Sequence, residues 1–139
     1  MIAVIDTNVL LQAIGKSSVH RPIWQAIIDR KIFVAVSSFI LLEYEEIIAR
    51  KASIKAAELV QKIFLELPNV IHIEPQFKWN AIIHDNDDNK FFDAGIAVGA
   101  DYLVTNDAHF NEAKKLAFPK INIISADEFL LILASLSSS

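Results

Sequence analysis

With 139 residues the chain has room for one sizeable core, and it reads as one domain over residues 1–136 with a frayed, disordered tail at 137–139. Apolar residues make up 53% of it, yet the longest uncharged stretches, 32–42 and 129–139, fall far short of the ~20 residues a membrane span needs. No basic leader with a cleavage site precedes the first apolar run, so a cytoplasmic protein is expected; the lack of cysteine excludes disulfides, thiolate metal sites and cysteine nucleophiles.

In chain order, strands alternate with helices, as in a parallel α/β sandwich. Ile2 to Ile5 forms the first strand and Asn8 to Ile14 a short helix stopped at Gly15. Pro22 suits the first turn of a helix reaching Arg30. Phe33 to Val36 is the second strand, after which Ser37 or Ser38 caps a helix carrying Glu43. Ser53 caps the next, Ile54 to Leu67, in which Ala56, Leu59, Val60, Ile63, Phe64 and Leu67 recur at helical spacing until Pro68. Val70 to Ile73 is the third strand. An irregular stretch, Glu74 to Asp87, leads to a helix from Asp88 through Ala97, with Gly99 as its C-cap. Tyr102 to Thr105, a short helix at Asn111 to Leu116, a strand at Ile121 to Ile124 and a helix from Ala126 to Leu136 complete the pattern.

Four acidic residues stand where a strand hands over to the next element. Asp6 closes the first strand, Glu43 lies just inside a helix after the second, Asp88 opens a helix and Asp107 comes after the fourth strand. In an open parallel sheet all these places lie along one edge. Carboxylates gathered there repel unless they are protonated or hold a cation. Taken alone, Asp6-Thr7-Asn8 and Thr105-Asn106-Asp107 are ordinary turn or cap sequences; their combination along one edge is what points to a site.

The segments Val4 to Leu10, Ser38 to Ile47, Asp87 to Phe92 and Gly99 to Asp107 resemble the PIN domain family, in particular the small prokaryotic VapC-like toxins of toxin–antitoxin pairs. The resemblance covers essentially the whole chain. It implies a three-layer sandwich around about five parallel strands, and a ribonuclease that uses Mg²⁺ or Mn²⁺. It also implies Asp6, Glu43, Asp88 and Asp107 as the acidic quartet, holding the metal and carrying the catalysis, with Asn8 and Thr105 behind them. Oxygen ligands suit such hard cations. Asp6 would be the central ligand, with Glu43 positioning or deprotonating the attacking water. An antitoxin and a second copy of the chain are the implied protein partners, the latter also suggested by so apolar a composition in so short a chain.

Neighbouring acids are separated less well by spacing. Asp85, Asp87, Asp88 and Asp93 crowd one segment; the family pattern selects Asp88, and Asp93 is expected to face away from it toward solvent. Glu43, beside Phe39, Ile40 and Ile47, should turn inward while Glu45 and Glu46 stay solvated. His20, His72, His84 and His109 lack ligand spacing and are expected at the surface or at strand edges. Trp24, Tyr44, Phe77 and Trp79 are expected to pack more than to stack on bases. Gly95 and Gly99 suggest a helix pressed closely on the sheet or on a partner. The net charge of −4 leaves phosphate contacts to local groups such as Arg50, Lys51, Lys55 and Lys62. A haloacid-dehalogenase-like phosphatase would need an aspartate where Asn8 stands. The remaining alternative is a non-catalytic PIN-fold module that binds RNA or protein.

Overall fold

The computed structural model describes residues 1–83 and 85–137. Five strands, β1 (Ile2–Ile5), β2 (Phe33–Val36), β3 (Val70–His72), β4 (Tyr102–Val104) and β5 (Asn122–Ile124), form one parallel sheet in the order β3-β2-β1-β4-β5. The helices are α1 (Thr7–Ala13), α2 (Arg21–Ile28), α3 (Ser38–Lys51), α4 (Ile54–Glu66), α5 (Asn89–Val98), α6 (Asn111–Lys114) and α7 (Ala126–Ser137). Short 3₁₀ turns at Asn86–Asp88 and Ala108–Phe110 precede α5 and α6.

Side chains along a strand alternate between the two faces. Ala3, Val4 and Ile5 of β1, and Val34, Ala35 and Val36 of β2, are all fully buried, so both faces of the sheet are covered. This is the expected three-layer sandwich. Among the described residues, no helix is long and apolar enough to cross a membrane.

Local sequence explains how the elements stop and start. Ser37 caps α3 by accepting from the Ile40 amide, and Ser53 caps α4 by accepting from the Ala56 amide. Gly99, at φ 63°, ends α5 in the left-handed conformation, with the Ala100 amide donating back to the Gly95 carbonyl. At Gly95 a Cβ would stand 2.6 Å from Ile121 Cδ1 and 3.5 Å from Val4 Cγ2, so α5 packs closely there, whereas a Cβ at Gly99 would meet nothing within 4 Å and that glycine serves the helix end alone.

The buried face of α4 is narrower than its spacing predicts: Ala57, Val60 and Phe64 are buried, whereas Leu59 is exposed. Tyr44 and Trp24 join the core around Phe64, while Phe77 stays exposed. The Tyr44 hydroxyl donates to the carbonyl of Ile5, a direct tie between α3 and the end of β1. The strand order reverses beside β1: the chain first builds β2 and β3 on one side, then β4 and β5 on the other. Ligands of open α/β sheets bind outside the carboxyl ends of strands at such a reversal. Asp6 comes directly after β1 and Asp107 three residues after the end of β4, the two strands that flank it.

Candidate metal centre

Asp6 continues β1 by one residue, its amide donating to Val104 of β4 at 2.9 Å. It is the N-cap of α1 but makes no side-chain cap bond, which leaves its carboxylate for other partners. One such partner is Thr105 Oγ1, donating to Asp6 Oδ2 at 2.8 Å while accepting from the Asp107 amide at 3.0 Å. A single hydroxyl thus stitches the ends of β1 and β4. Burial pushes the Asp6 carboxyl up to about 6, with Thr105 and the Thr7 amide opposing and the charges of Glu43 and Asp107 adding to the rise.

Asp88 closes the 3₁₀ turn before α5 and is buried. Its carboxyl rises to about 7, first through burial and then through the charges of Asp85, Asp6 and Asp107, with Lys90 opposing. Its Oδ2 is buried with no hydrogen-bond partner among the described residues. A buried, unpartnered carboxylate oxygen is costly unless a proton or a cation answers it.

Glu43 sits at the other end of the cleft, half-buried on α3. Lys90 Nζ lies 2.9 Å from its Oε1, and its Oε2 accepts from Thr7 Oγ1. Lys90 is itself fixed by donating to the Asp87 carbonyl at 2.6 Å. Glu45 and Glu46 are exposed, as expected. The structure therefore gathers all four predicted acids on the carboxyl edge of the sheet: Asp6 feels the charges of Glu43 and Asp107, and Asp88 feels those of Asp6 and Asp107. Thr105 stands beside two of them. Asn8, by contrast, is exposed at the head of α1 and makes no hydrogen bond to the quartet among the described residues.

Two expectations are revised. Asp93 is buried instead of facing solvent, because the 77–83 segment folds over α5 and the Trp79 amide donates to Asp93 Oδ1 at 3.1 Å. Burial raises its carboxyl as well. His109 is at the surface as expected, yet it is also turned onto the acids, its Nδ1 lying 3.4 Å from Asp107, 3.6 Å from Asp85 and 3.9 Å from Asp88. His20 meets Asp127 and His72 the Phe64 carbonyl, away from the site, and His84 lies outside the described residues.

Asp85, Asp88, Asp107 and His109 each present one ligand atom, and these atoms all lie within 4.8 Å of one another. This grouping is shifted toward the loop side of the predicted quartet, since Asp6 and Glu43 fall outside it. A group of oxygen donors with excess negative charge and an unanswered buried oxygen fits a divalent cation. Sequence reasoning passed over Thr7, Lys90, Asp85 and His109. Each is within three residues of a predicted acid, but only Asp85 and His109 are turned back toward that acid, whereas Thr7 and Lys90 reach Glu43 from far along the chain.

By sequence, no curated protein matches the chain. The family model of the PIN domain matches residues 3–109, a span holding all four acids together with Asp85, Lys90 and His109. The chain belongs to the PIN domain family. Among solved structures, this PIN domain is similar to VapBC2 from Rickettsia felis, bound there to a DNA fragment from its promoter. The identity is 20% and the TM-score 0.62, over 90% of this chain and 98% of that one. It is also similar to Mycobacterium tuberculosis VapC20, a toxin that cleaves the sarcin-ricin loop, at 16% identity and a TM-score of 0.58, over 80% and 94% of the two chains. At these identities the likeness is one of fold.

Proposed function

We propose that this PIN domain is a divalent-metal-dependent endoribonuclease, hydrolysing RNA phosphodiester bonds as the toxin of a toxin–antitoxin pair in the cytoplasm. The observation that carries the reading is the buried Asp88 oxygen without a donor, set among acids at the strand-order reversal of a PIN fold. One catalytic domain over residues 1–136 is sufficient for it.

In this reading Asp6, Asp88 and Asp107 hold Mg²⁺ or Mn²⁺, with Glu43 at the edge of the site. A bound ion of this kind supplies positive charge against the phosphate and acidity to water. Thr105 keeps Asp6 in one rotamer by hydrogen bonding, and the same hydroxyl fixes the backbone of Asp107. Glu43, held by Thr7 and Lys90, keeps its remaining lone pairs for an attacking water. Lys90 has one N–H left for a phosphate oxygen after bonding Glu43 and the Asp87 carbonyl, and Asn8 is exposed at the head of α1.

A groove of about 590 Å³, bordered by Phe39, Leu42, Glu43, Lys78 and Lys90, runs from the paired end of the site. Glu46, Glu74, Asp87 and Asp93 line it as well, so an RNA strand there would rest bases on Phe39 and Leu42 and bring its phosphates to Lys78 and Lys90 alone. The exposed Leu42, Ile54 and Leu65 of α3 and α4 give an antitoxin, or a second copy in a homodimer, an apolar surface to cover.

Purified protein incubated with a panel of structured and single-stranded RNAs tests the proposal. Cleavage with Mg²⁺ or Mn²⁺ should stop on chelation, and Ca²⁺ should bind yet support little turnover because its coordination is looser. Cleavage that survives both chelation and Asp6→Asn would refute it. Metal binding without cleavage of any RNA would favour the binding-module alternative.

A further inference from the structure

The ligand atoms that converge most closely in the proposed metal centre are three carboxylate oxygens and one nitrogen. We propose that His109, with Asp85 beside it, completes the ligand set, so that the cation is held by mixed oxygen and imidazole donors and Mn²⁺ is preferred over Mg²⁺. This inference rests on the metal-dependent reading and assigns the chemistry of its site.

The geometry favours coordination over hydrogen bonding. His109 Nδ1 lies 3.4, 3.6 and 3.9 Å from oxygens of Asp107, Asp85 and Asp88, and makes a hydrogen bond with none of them. Those spacings, which also suit a protonated imidazole among carboxylates, are ones that a shared cation can bridge. Around an octahedral ion with bonds of about 2.1 Å, adjacent ligands are about 3 Å apart and opposite ones about 4.2 Å. The observed separations fall within that range, and the limit of 4.8 Å for the group requires only a small contraction.

Local hydrogen bonds aim the ligands. Asp85 spends Oδ1 on the Asp87 amide at 3.0 Å, while its Oδ2 is the oxygen nearer His109. Asp107 accepts from the His109 amide at 2.9 Å, closing the 3₁₀ turn that brings the imidazole back over the carboxylate. Asp88 contributes the buried oxygen that no donor reaches, an observation independent of the clustering. Mg²⁺ favours oxygen and retains its water, so an imidazole donor counts against it and toward a divalent transition ion, of which Mn²⁺ is the one in the proposed reaction.

The experiment uses the full chain loaded with Mn²⁺ and read by electron spin-echo envelope modulation. The expected result is modulation from a directly bound imidazole nitrogen, which shifts when the protein is grown with heavy-nitrogen histidine and disappears in His109→Gln. Calorimetry should show Mn²⁺ affinity falling about tenfold or more in that variant, with Mg²⁺ affinity changing much less. If His109→Gln does not fold, the labelled protein carrying His84→Gln keeps the test decisive, because His20 and His72 are engaged away from the site. Bound Mn²⁺ without nitrogen modulation overturns this inference and leaves the carboxylate site intact. Failure of any divalent ion to bind overturns the metal-dependent reading, and this inference with it.

Discussion

The two ends of the acidic cleft solve the same electrostatic problem differently. Glu43 is answered within the protein, by the Lys90 ammonium at 2.9 Å and by the Thr7 hydroxyl. Asp88, on the far side of Asp6, is more deeply buried, surrounded by other acids and left with one oxygen unanswered. A carboxylate balanced by a lysine has little need of an ion, whereas one raised to about 7 by burial and like charge gains most from one. The difference locates where a cation should bind within a cleft that is acidic throughout.

The most severe way to break the comparison is to neutralise the unanswered end. Asp88→Asn and Asp6→Asn are each expected to lower the initial rate of RNA cleavage by about 100-fold or more. The metal-free variants should melt at or above the temperature of the unmodified protein at pH 8, because each removes a repelling buried charge. A lower melting temperature for both would mean that these acids serve the fold. Thr105→Val should act more mildly, weakening divalent-metal affinity by about 10- to 100-fold through loss of the hydroxyl that orients Asp6. Unchanged affinity in a calorimeter would remove Thr105 from the site.

Acidity tests the same asymmetry without mutation. Asp6 and Asp88 have folded values of about 6 and about 7 against an ordinary 3.8, so the folded metal-free protein binds these protons more tightly than the unfolded chain. Their contribution to stability is full below pH 3.8 and is lost as pH rises through about 6 and then about 7. Denaturant titrations should therefore find this component declining from about pH 4 to about pH 7, and Asp88→Asn should flatten the decline. No change in slope would contradict the assignment. The smallest effect is expected at the balanced end. Lys90→Ala should cost about 1 kcal/mol of stability in a denaturant titration, because it leaves Glu43 with the Thr7 hydroxyl alone. Indifference to Lys90 would show that the ion pair does not balance Glu43.

Much of this was legible in the residues. Ser37, Ser53 and Gly99 mark helix ends through local chemistry, and the positions of Asp6 and Asp107 are set by the short apolar strands before them. What escaped depends on contacts distant in sequence or on loop closure. Lys90 meets Glu43 across 47 positions, a pairing no periodicity encodes. Asp93 was assigned to solvent from helical geometry alone, and only the 77–83 segment lying over α5 buries it. His109 has no ligand spacing in sequence, because the 3₁₀ turn and the fold bring its partners to it.

The hydroxyl of Tyr44 has a practical consequence for work with this protein. It spans from α3, next to Glu43, to the carbonyl just before Asp6, and it is fully buried. This strut carries no charge at neutral pH, since burial, reinforced by Asp6 and Glu43, lifts the phenol well above its ordinary value. The spacing between the two elements is thus set by a bond that takes no part in holding an ion or turning over a substrate. A silenced variant such as Asp6→Asn should keep the contours of the active form, and so can serve as bait for trapping uncut RNA and for fishing out protein partners. On the proposed ribonuclease reading, the same separation of frame from chemistry means that, after gene duplication, one base change in the Asp6 codon should leave a copy that keeps its fold but no longer cuts.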